Sequence, residues 1–108
     1  MIKIDLYDNA NCAQLWRIIA HFGGYAHQKE KAIEELSELQ QALARDLQGE
    51  GDRANITEEI ADALVMIAQL VLIYGIHREV ERVASEKLLR TLTRIEKEQN
   101  GAPGKTEV

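Results

Sequence analysis

The chain has 108 residues, enough for one domain with a single core, and we expect no second catalytic domain. Hydrophobic residues make up 45% of it, aromatic residues only 5%, and there is one proline, a composition that favours helices over strands. The net charge of -5 argues against a surface that binds nucleic acid by neutralising its phosphates.

Cysteine content and hydropathy predict a cytoplasmic protein. Cys12 is the only cysteine, which rules out a disulfide or a thiolate zinc site within one chain and fits a reducing compartment. Residues 1–10 lack the basic start and apolar run of a signal peptide. The longest apolar stretch, residues 63–76, is interrupted by Gln69 and Gly75 and is too short to span a bilayer. We therefore expect neither a membrane nor a nucleic-acid partner.

The first predicted helix follows an extended start at residues 1–8. Asn9 or Asn11 is its expected N-cap, and it runs to about His21, where the pair Gly23–Gly24 ends it. The second predicted helix covers residues 25–47. It carries one apolar stripe at helical spacing, made of Ala32, Leu36, Leu39, Leu43 and Leu47.

A glycine-containing loop at residues 48–55 precedes the third predicted helix, whose expected cap is Thr57 and whose end is near Tyr74. This helix is apolar on nearly every side, as expected for a helix inside a bundle or at a subunit interface. Asp62 shares one side of it with Met66, Gln69 and Ile73, so we expect a partly buried carboxylate there.

The fourth predicted helix covers residues 77–99, and residues 100–108 are expected to be disordered. Four helices with short connections predict an all-α, four-helix bundle-like protomer formed by residues 1–99. Its apolar third helix is the expected contact in a homo-oligomer, either a dimer or a dimer of dimers.

Acidic residues are paired at i and i+3 on the second and third helices, the spacing that puts two side chains on one face. If these helices pack antiparallel, the pairs meet in an oxygen-rich cluster of the kind that hard divalent cations prefer. The alternative is a solvated face or a structural salt-bridge network. The residues are Glu34, Glu35, Glu38, Glu58, Glu59 and Asp62.

The ligand types favour Mg²⁺, with Mn²⁺ as a substitute, because the cluster is all oxygen and lacks the Glu-x-x-His pairs of di-iron bundles. Mg²⁺ held by carboxylates typically recruits a polyphosphate and offsets its charge during attack at phosphorus. The predicted reaction is phosphoanhydride hydrolysis.

Two short motifs carry a family resemblance: EELSE at residues 34–38 and EIAD at residues 59–62, with 20 residues between them. Together they resemble the signature of MazG-like all-α nucleoside triphosphate pyrophosphohydrolases, relatives of the dimeric dUTPases and of phosphoribosyl-ATP pyrophosphatase. The resemblance covers roughly residues 27–95. It implies hydrolysis of a nucleotide between the α and β phosphates, which yields a nucleoside monophosphate and pyrophosphate.

The resemblance also implies roles for individual residues. Glu35, Glu38, Glu59 and Asp62 would bind Mg²⁺. Glu34, or another carboxylate that the metal does not use, would orient or deprotonate the attacking water. The expected catalytic residues are Glu34 and Glu38, and Glu38 is also an expected metal ligand.

Four cations are expected to hold the substrate phosphates: Lys31, Lys87, Arg90 and Arg94. Lys31 has a plain i,i+4 ion pair with Glu35 as its alternative, and the stripe on the fourth helix has ordinary surface charge as its alternative.

Two further features have two interpretations each. Gln69 either reads a base edge or satisfies a neighbouring backbone group. The aromatic residues near the N-terminus, Trp16, Phe22 and Tyr25, fit a hydrophobic core better than a base-stacking site.

The predicted function has two alternatives. One is a narrow-specificity enzyme acting on dUTP, dCTP or phosphoribosyl-ATP, and the other is a non-catalytic helical module that dimerises or binds a partner.

Overall fold

The computed structural model describes residues 8–101, and this range contains helices and no strand. The elements are α1 (Asn9–His21), α2 (Tyr25–Leu47), α3 (Arg53–Tyr74) and α4 (His77–Gly101). The all-α class is therefore confirmed. The predictions for residues 1–7 and 102–108 lie outside the described residues. Within the described range, every helix is too short or too polar to cross a membrane.

An aspartate starts α1. The Asp8 side chain accepts a hydrogen bond from the Ala10 amide at 2.8 Å, and the Asp8 backbone is extended, as an N-cap requires. The expected cap at Asn9 or Asn11 was wrong, because the helix has already begun at Asn9. It ends at His21, close to the predicted position.

A second aspartate caps the start of α3, five residues before the predicted cap. Asp52 accepts from the Ala54 amide at 3.0 Å. Thr57 lies inside the helix, where its hydroxyl donates to the Arg53 carbonyl at 2.8 Å. Thr57 is therefore not the cap, because an earlier residue with a stronger acceptor already satisfies the first amides.

Glycine is needed at both ends of α3 for different reasons. A Cβ atom on Gly51 would lie 2.8 Å from the Cα and Cβ atoms of Asp46, so the chain can turn back here only without a side chain. Gly75 has φ 64° and ψ 36°, the left-handed conformation that commonly ends helices. These two glycines delimit the helix that carries Glu59 and Asp62.

The helices α2 and α3 pack antiparallel, and α1 also packs on α3. Gln28, near the start of α2, donates to Gln69, near the end of α3, at 2.7 Å. Further along α2, Glu35 lies close to Glu59, which is nearer the start of α3. This antiparallel arrangement is the one that the acidic-cluster hypothesis required.

The buried residues of α2 share only Ala32 with the predicted apolar stripe. These buried residues are Gln28, Ala32, Glu35 and Ala42. Leu43 and Leu47, which belong to the predicted stripe, are exposed, Leu47 by 90%. The helix presents a narrow side of small and polar residues to α3, which allows close approach.

Helix α3 is only partly covered within the chain. Its buried residues are Ala63, Met66, Ala68, Gln69 and Val71. Large apolar residues of the same helix remain exposed within the chain: Ile60, Leu64, Ile67 and Tyr74. The expectation that nearly all of this surface meets protein is thus unmet within one chain.

The chain divides after Gly75 into two compact units. The first contains α1, α2 and α3 together with the acidic cluster. In the second, α4 has no buried residue among those described, and its leucines and isoleucine are exposed.

Candidate metal centre

Three of the predicted carboxylates come together between α2 and α3. Glu35 and Glu38 lie one turn apart on α2, and Glu59 approaches them from α3. One carboxylate oxygen from each lies within 4.8 Å of the others. The i, i+3 spacing on α2 and the antiparallel packing of α3 together produce this convergence.

Two oxygens of the cluster are buried and have no hydrogen-bond partner: Glu35 Oε2 and Glu59 Oε2. Glu35 as a whole is only 9% exposed. A buried acceptor without a partner costs about 1–3 kcal/mol of stability, and a charged one costs more. Such oxygens are therefore expected to have a ligand that the protein itself does not provide.

Lys31 neutralises part of the cluster. Its Nζ lies 3.2 Å from Glu35 Oε1 and 3.6 Å from Glu34 Oε2. The hydrogen bond to Glu35 and the charges of Glu34 and Glu35 raise the pKa of Lys31, so it stays protonated. The predicted i,i+4 ion pair between Lys31 and Glu35 is therefore confirmed. A contact between Lys31 and the substrate phosphates stays a prediction.

The remaining negative charge of the cluster affects the pKa of Glu38. The neighbouring carboxylate of Glu35, followed by partial burial and the charge of Glu59, raises the pKa of the Glu38 carboxyl above its ordinary value. A proton is therefore held more tightly here because it relieves repulsion. A divalent cation would relieve the same repulsion more completely.

The donor set fits a hard divalent cation. All the ligand atoms are carboxylate oxygens, which suit Mg²⁺ and Mn²⁺. Two oxygens on opposite sides of an Mg²⁺ ion are about 4.2 Å apart, so small rotations of these flexible side chains would bring the three within bonding distance. The unpartnered oxygens of Glu35 and Glu59 provide the observation that favours a cation over a plain surface charge.

Asp62 is separate from the three clustered glutamates, and it is exposed. The expected partial burial of Asp62 was wrong, because this carboxylate borders an open cavity instead of packing against a neighbouring helix. Glu35 borders the same cavity. Asp62 as a metal ligand therefore stays a prediction.

The cavity beside the cluster has a volume of about 260 Å³ and is bordered by residues of α1, α2 and α3 and by Phe22, which follows α1. Lys31 lines it together with Glu35 and Asp62, and the amide side chains of Gln28 and Gln69 line it as well. Its apolar wall includes Ile18, Phe22, Val65 and Met66. The cavity thus combines charged, amide and apolar surfaces.

The sequence analysis missed one cavity residue, Gln28, and placed another, Phe22, in the core. Gln28 is 3% exposed although α2 is polar around it, and no local pattern distinguishes it from the exposed glutamines of the same helix. Phe22, which was expected in the core, is 52% exposed at the cavity because α1 ends there.

The other predicted site residues are exposed. Glu34 faces solvent beside Lys31. Lys87, Arg90 and Arg94 are exposed on α4, where the two arginines border one shallow groove. Their roles in water activation and phosphate binding stay predictions.

No protein-family model matches the chain, and no curated protein or solved structure is significantly similar to it. The resemblance carried by residues 34–38 and 59–62 therefore stays a prediction. The geometry of the carboxylates and of the cavity beside them is therefore the structural evidence on function.

Proposed function

We propose that this chain is a Mg²⁺-dependent nucleoside triphosphate pyrophosphohydrolase. One observation carries the proposal: the buried oxygens of Glu35 and Glu59 lack any hydrogen-bond partner and belong to one cluster with Glu38. A cation is the ligand that would satisfy both oxygens and offset the repulsion among the three carboxylates.

Glu35, Glu38 and Glu59 would hold the Mg²⁺, with Asp62 as a further ligand from the edge of the cavity. When bound, the ion would offset the charge of the phosphates and lower the pKa of a bound water. Mn²⁺ has the same preference for oxygen ligands and is the expected substitute.

The surrounding residues have separate tasks in this proposal. Lys31 stays protonated beside Glu35 and can place a positive charge next to the substrate phosphates. Glu34 is solvent-exposed and uninvolved in the three-carboxylate cluster, so it is available to orient a water molecule or accept its proton. Glu38, whose pKa is raised, is the alternative base and would combine that role with metal binding.

The cavity favours a nucleotide over inorganic polyphosphate as the substrate. It shares Glu35 with the acidic cluster and extends between apolar side chains, so a phosphate chain held at the carboxylates would leave a base and sugar beside an apolar wall. The position of cleavage, between the α and β phosphates, rests on the resemblance carried by the two acidic motifs.

We also propose that the protein is a homo-oligomer. The exposed stripe on α3, made of Ile60, Leu64, Ile67 and Tyr74, is large and apolar for a surface that faces water. A second copy of the chain would cover it, in a dimer or a dimer of dimers.

Release of pyrophosphate from a panel of ribo- and deoxynucleoside triphosphates, measured with and without Mg²⁺, tests the enzymatic proposal. Glu59→Gln should reduce Mg²⁺-dependent release by at least about 100-fold, because it removes one charged metal ligand. Glu58→Gln, the exposed neighbour on the same helix, is the matched control and should retain activity. Absence of turnover on every nucleotide, together with no effect of Mg²⁺ on stability, would instead favour the non-catalytic helical module.

A further inference from the structure

A chain of hydrogen bonds between side chains lines one part of the cavity. His27 Nδ1 and Gln28 Oε1 are 2.8 Å apart. Gln28 Nε2 donates to Gln69 Oε1 at 2.7 Å, and Gln69 Nε2 donates to the sulfur of Met66 at 3.7 Å. All four residues border the cavity. These hydrogen bonds therefore connect α2 to α3 at the surface that a ligand would contact.

The thioether at the end of this chain sets the direction of every bond in it. A methionine sulfur accepts hydrogen bonds and cannot donate, so the Gln69 amide must turn its nitrogen toward Met66 and its oxygen toward Gln28. Gln28 consequently turns its nitrogen toward Gln69 and its oxygen toward His27. His27 must then carry its hydrogen on Nδ1.

Each of the two glutamines keeps one amide hydrogen without an acceptor among residues 8–101. Each amide nitrogen has two hydrogens. Within residues 8–101, Gln28 Nε2 has Gln69 as its one acceptor, and Gln69 Nε2 has only the weakly accepting sulfur. Both amide oxygens already accept a hydrogen bond. Gln28 is 3% and Gln69 2% exposed, so water does not readily compensate.

An apolar wall faces these donors. Phe22, Ile18 and Val65 border the same cavity, and the rings of Phe22 and His27 are nearly parallel, with their centroids 6.4 Å apart. Apolar surface with a few buried polar groups is the usual composition of a site for a flat heterocycle. Glu35 and Lys31, which also line the cavity, belong to the proposed phosphate side.

We propose that Gln69, positioned by Gln28 and His27, selects the substrate base by donating a hydrogen bond to an oxo group. This inference rests on the proposed nucleotide hydrolysis and adds a specificity to it. An oxo oxygen has two lone pairs and can accept from both glutamine nitrogens. Cytosine, uracil and guanine carry such an oxygen, whereas adenine carries none, and each of its ring nitrogens has a single lone pair that can accept from only one glutamine.

The test measures binding in the presence of Mg²⁺, with non-cleavable α,β-imido analogues of dCTP, dGTP and dATP and with a base-free deoxyribose triphosphate. Wild-type protein should bind the dCTP or dGTP analogue at least about tenfold more tightly than the dATP analogue. Gln69→Met should abolish that preference and leave binding of the base-free triphosphate unchanged.

Gln41→Met removes an exposed glutamine from α2, outside the cavity, and is the matched control that should keep the preference. His27→Phe changes an exposed residue and should weaken the preference without unfolding the protein, so the test does not depend on Gln69→Met folding. Equal affinity of wild-type protein for all analogues, or an equal loss of binding for the base-free triphosphate in Gln69→Met, would overturn the inference. A base preference without pyrophosphate release from the natural nucleotides would count against the proposed reaction and not against base selection.

Discussion

Neutralising one carboxylate of the cluster should have opposite effects with and without metal. Glu38→Gln removes a charge that Glu35 and Glu59 repel, so the metal-free variant should melt at a higher temperature than metal-free wild type. The same change removes a metal ligand, so the rise in melting temperature on adding Mg²⁺ should be smaller in the variant. Thermal melting in EDTA and in excess Mg²⁺ measures both effects.

Glu58→Gln removes the same charge from an exposed position and is the matched control. It should change neither the metal-free stability nor the Mg²⁺ response by a comparable amount. A lower metal-free melting temperature in Glu38→Gln would contradict the electrostatic account of the cluster.

The raised pKa of Glu38 also predicts the pH dependence of stability without metal. The carboxyl binds its proton more tightly in the folded than in the unfolded chain, so protonation stabilises the fold. This stabilisation is complete below the ordinary value of 4.5 and is lost as the pH rises through the higher folded pKa. The free energy of unfolding of wild type minus that of Glu38→Gln, followed upward from pH 4.5, should therefore fall. A difference that rises over this window would reverse the assigned sign.

Three of the predicted metal-binding carboxylates meet in the structure, whereas the fourth, Asp62, has surroundings other than those expected. Helical spacing predicts that Glu35 and Glu38 share a face, and an antiparallel partner brings Glu59 to them. The same spacing cannot show where a helix borders an open cavity, which is why the burial of Asp62 was overestimated. Gln28 was missed because its burial depends on a partner 41 positions along the chain.

At the scale of an element, the start of α3 provides a direct comparison between two possible caps. Asp52→Ala removes the acceptor of the Ala54 amide and should destabilise the protein by about 1 kcal/mol, a decrease in melting temperature of roughly 4–8 °C. Thr57→Ala removes only a hydroxyl that bonds within the helix and should be close to neutral. Thermal melting of both variants, with Asp52→Asn as a cap-retaining control, measures the difference. A larger loss for Thr57→Ala would favour the later helix start.

The helices themselves were predictable because periodic apolar residues and glycine-rich breaks mark their extent. The packed side of α2 was not. Leucines at helical spacing indicate a helix, but the side that meets α3 is chosen by how closely two backbones can approach. Ala42, which lies outside the predicted stripe, allows that approach better than Leu43 or Leu47. The apolar pattern therefore predicted where α2 lies in the sequence, but not which of its faces packs on α3.

At the scale of the whole molecule, the exposed stripe on α3 predicts association of identical chains. Ile67→Lys places a charge within the stripe and should convert the oligomer into a monomer, because burying an unpaired ammonium group is costly. Sedimentation equilibrium at matched concentrations measures the mass. Leu47→Lys, at an exposed leucine at the end of α2, is the control and should leave the oligomer intact. A wild-type protein that is monomeric at every concentration would contradict the proposed assembly.

We propose that the carboxylates between α2 and α3 support cleavage between the α and β phosphates of a nucleotide. Identification of the products is the most direct test, by ³¹P NMR or ion-exchange chromatography after incubation with Mg²⁺ and nucleoside triphosphates. Hydrolysis at this position should give a nucleoside monophosphate and pyrophosphate in equal amounts, formed by wild type and not by Glu59→Gln. A nucleoside diphosphate with orthophosphate, formed by wild type, would contradict it.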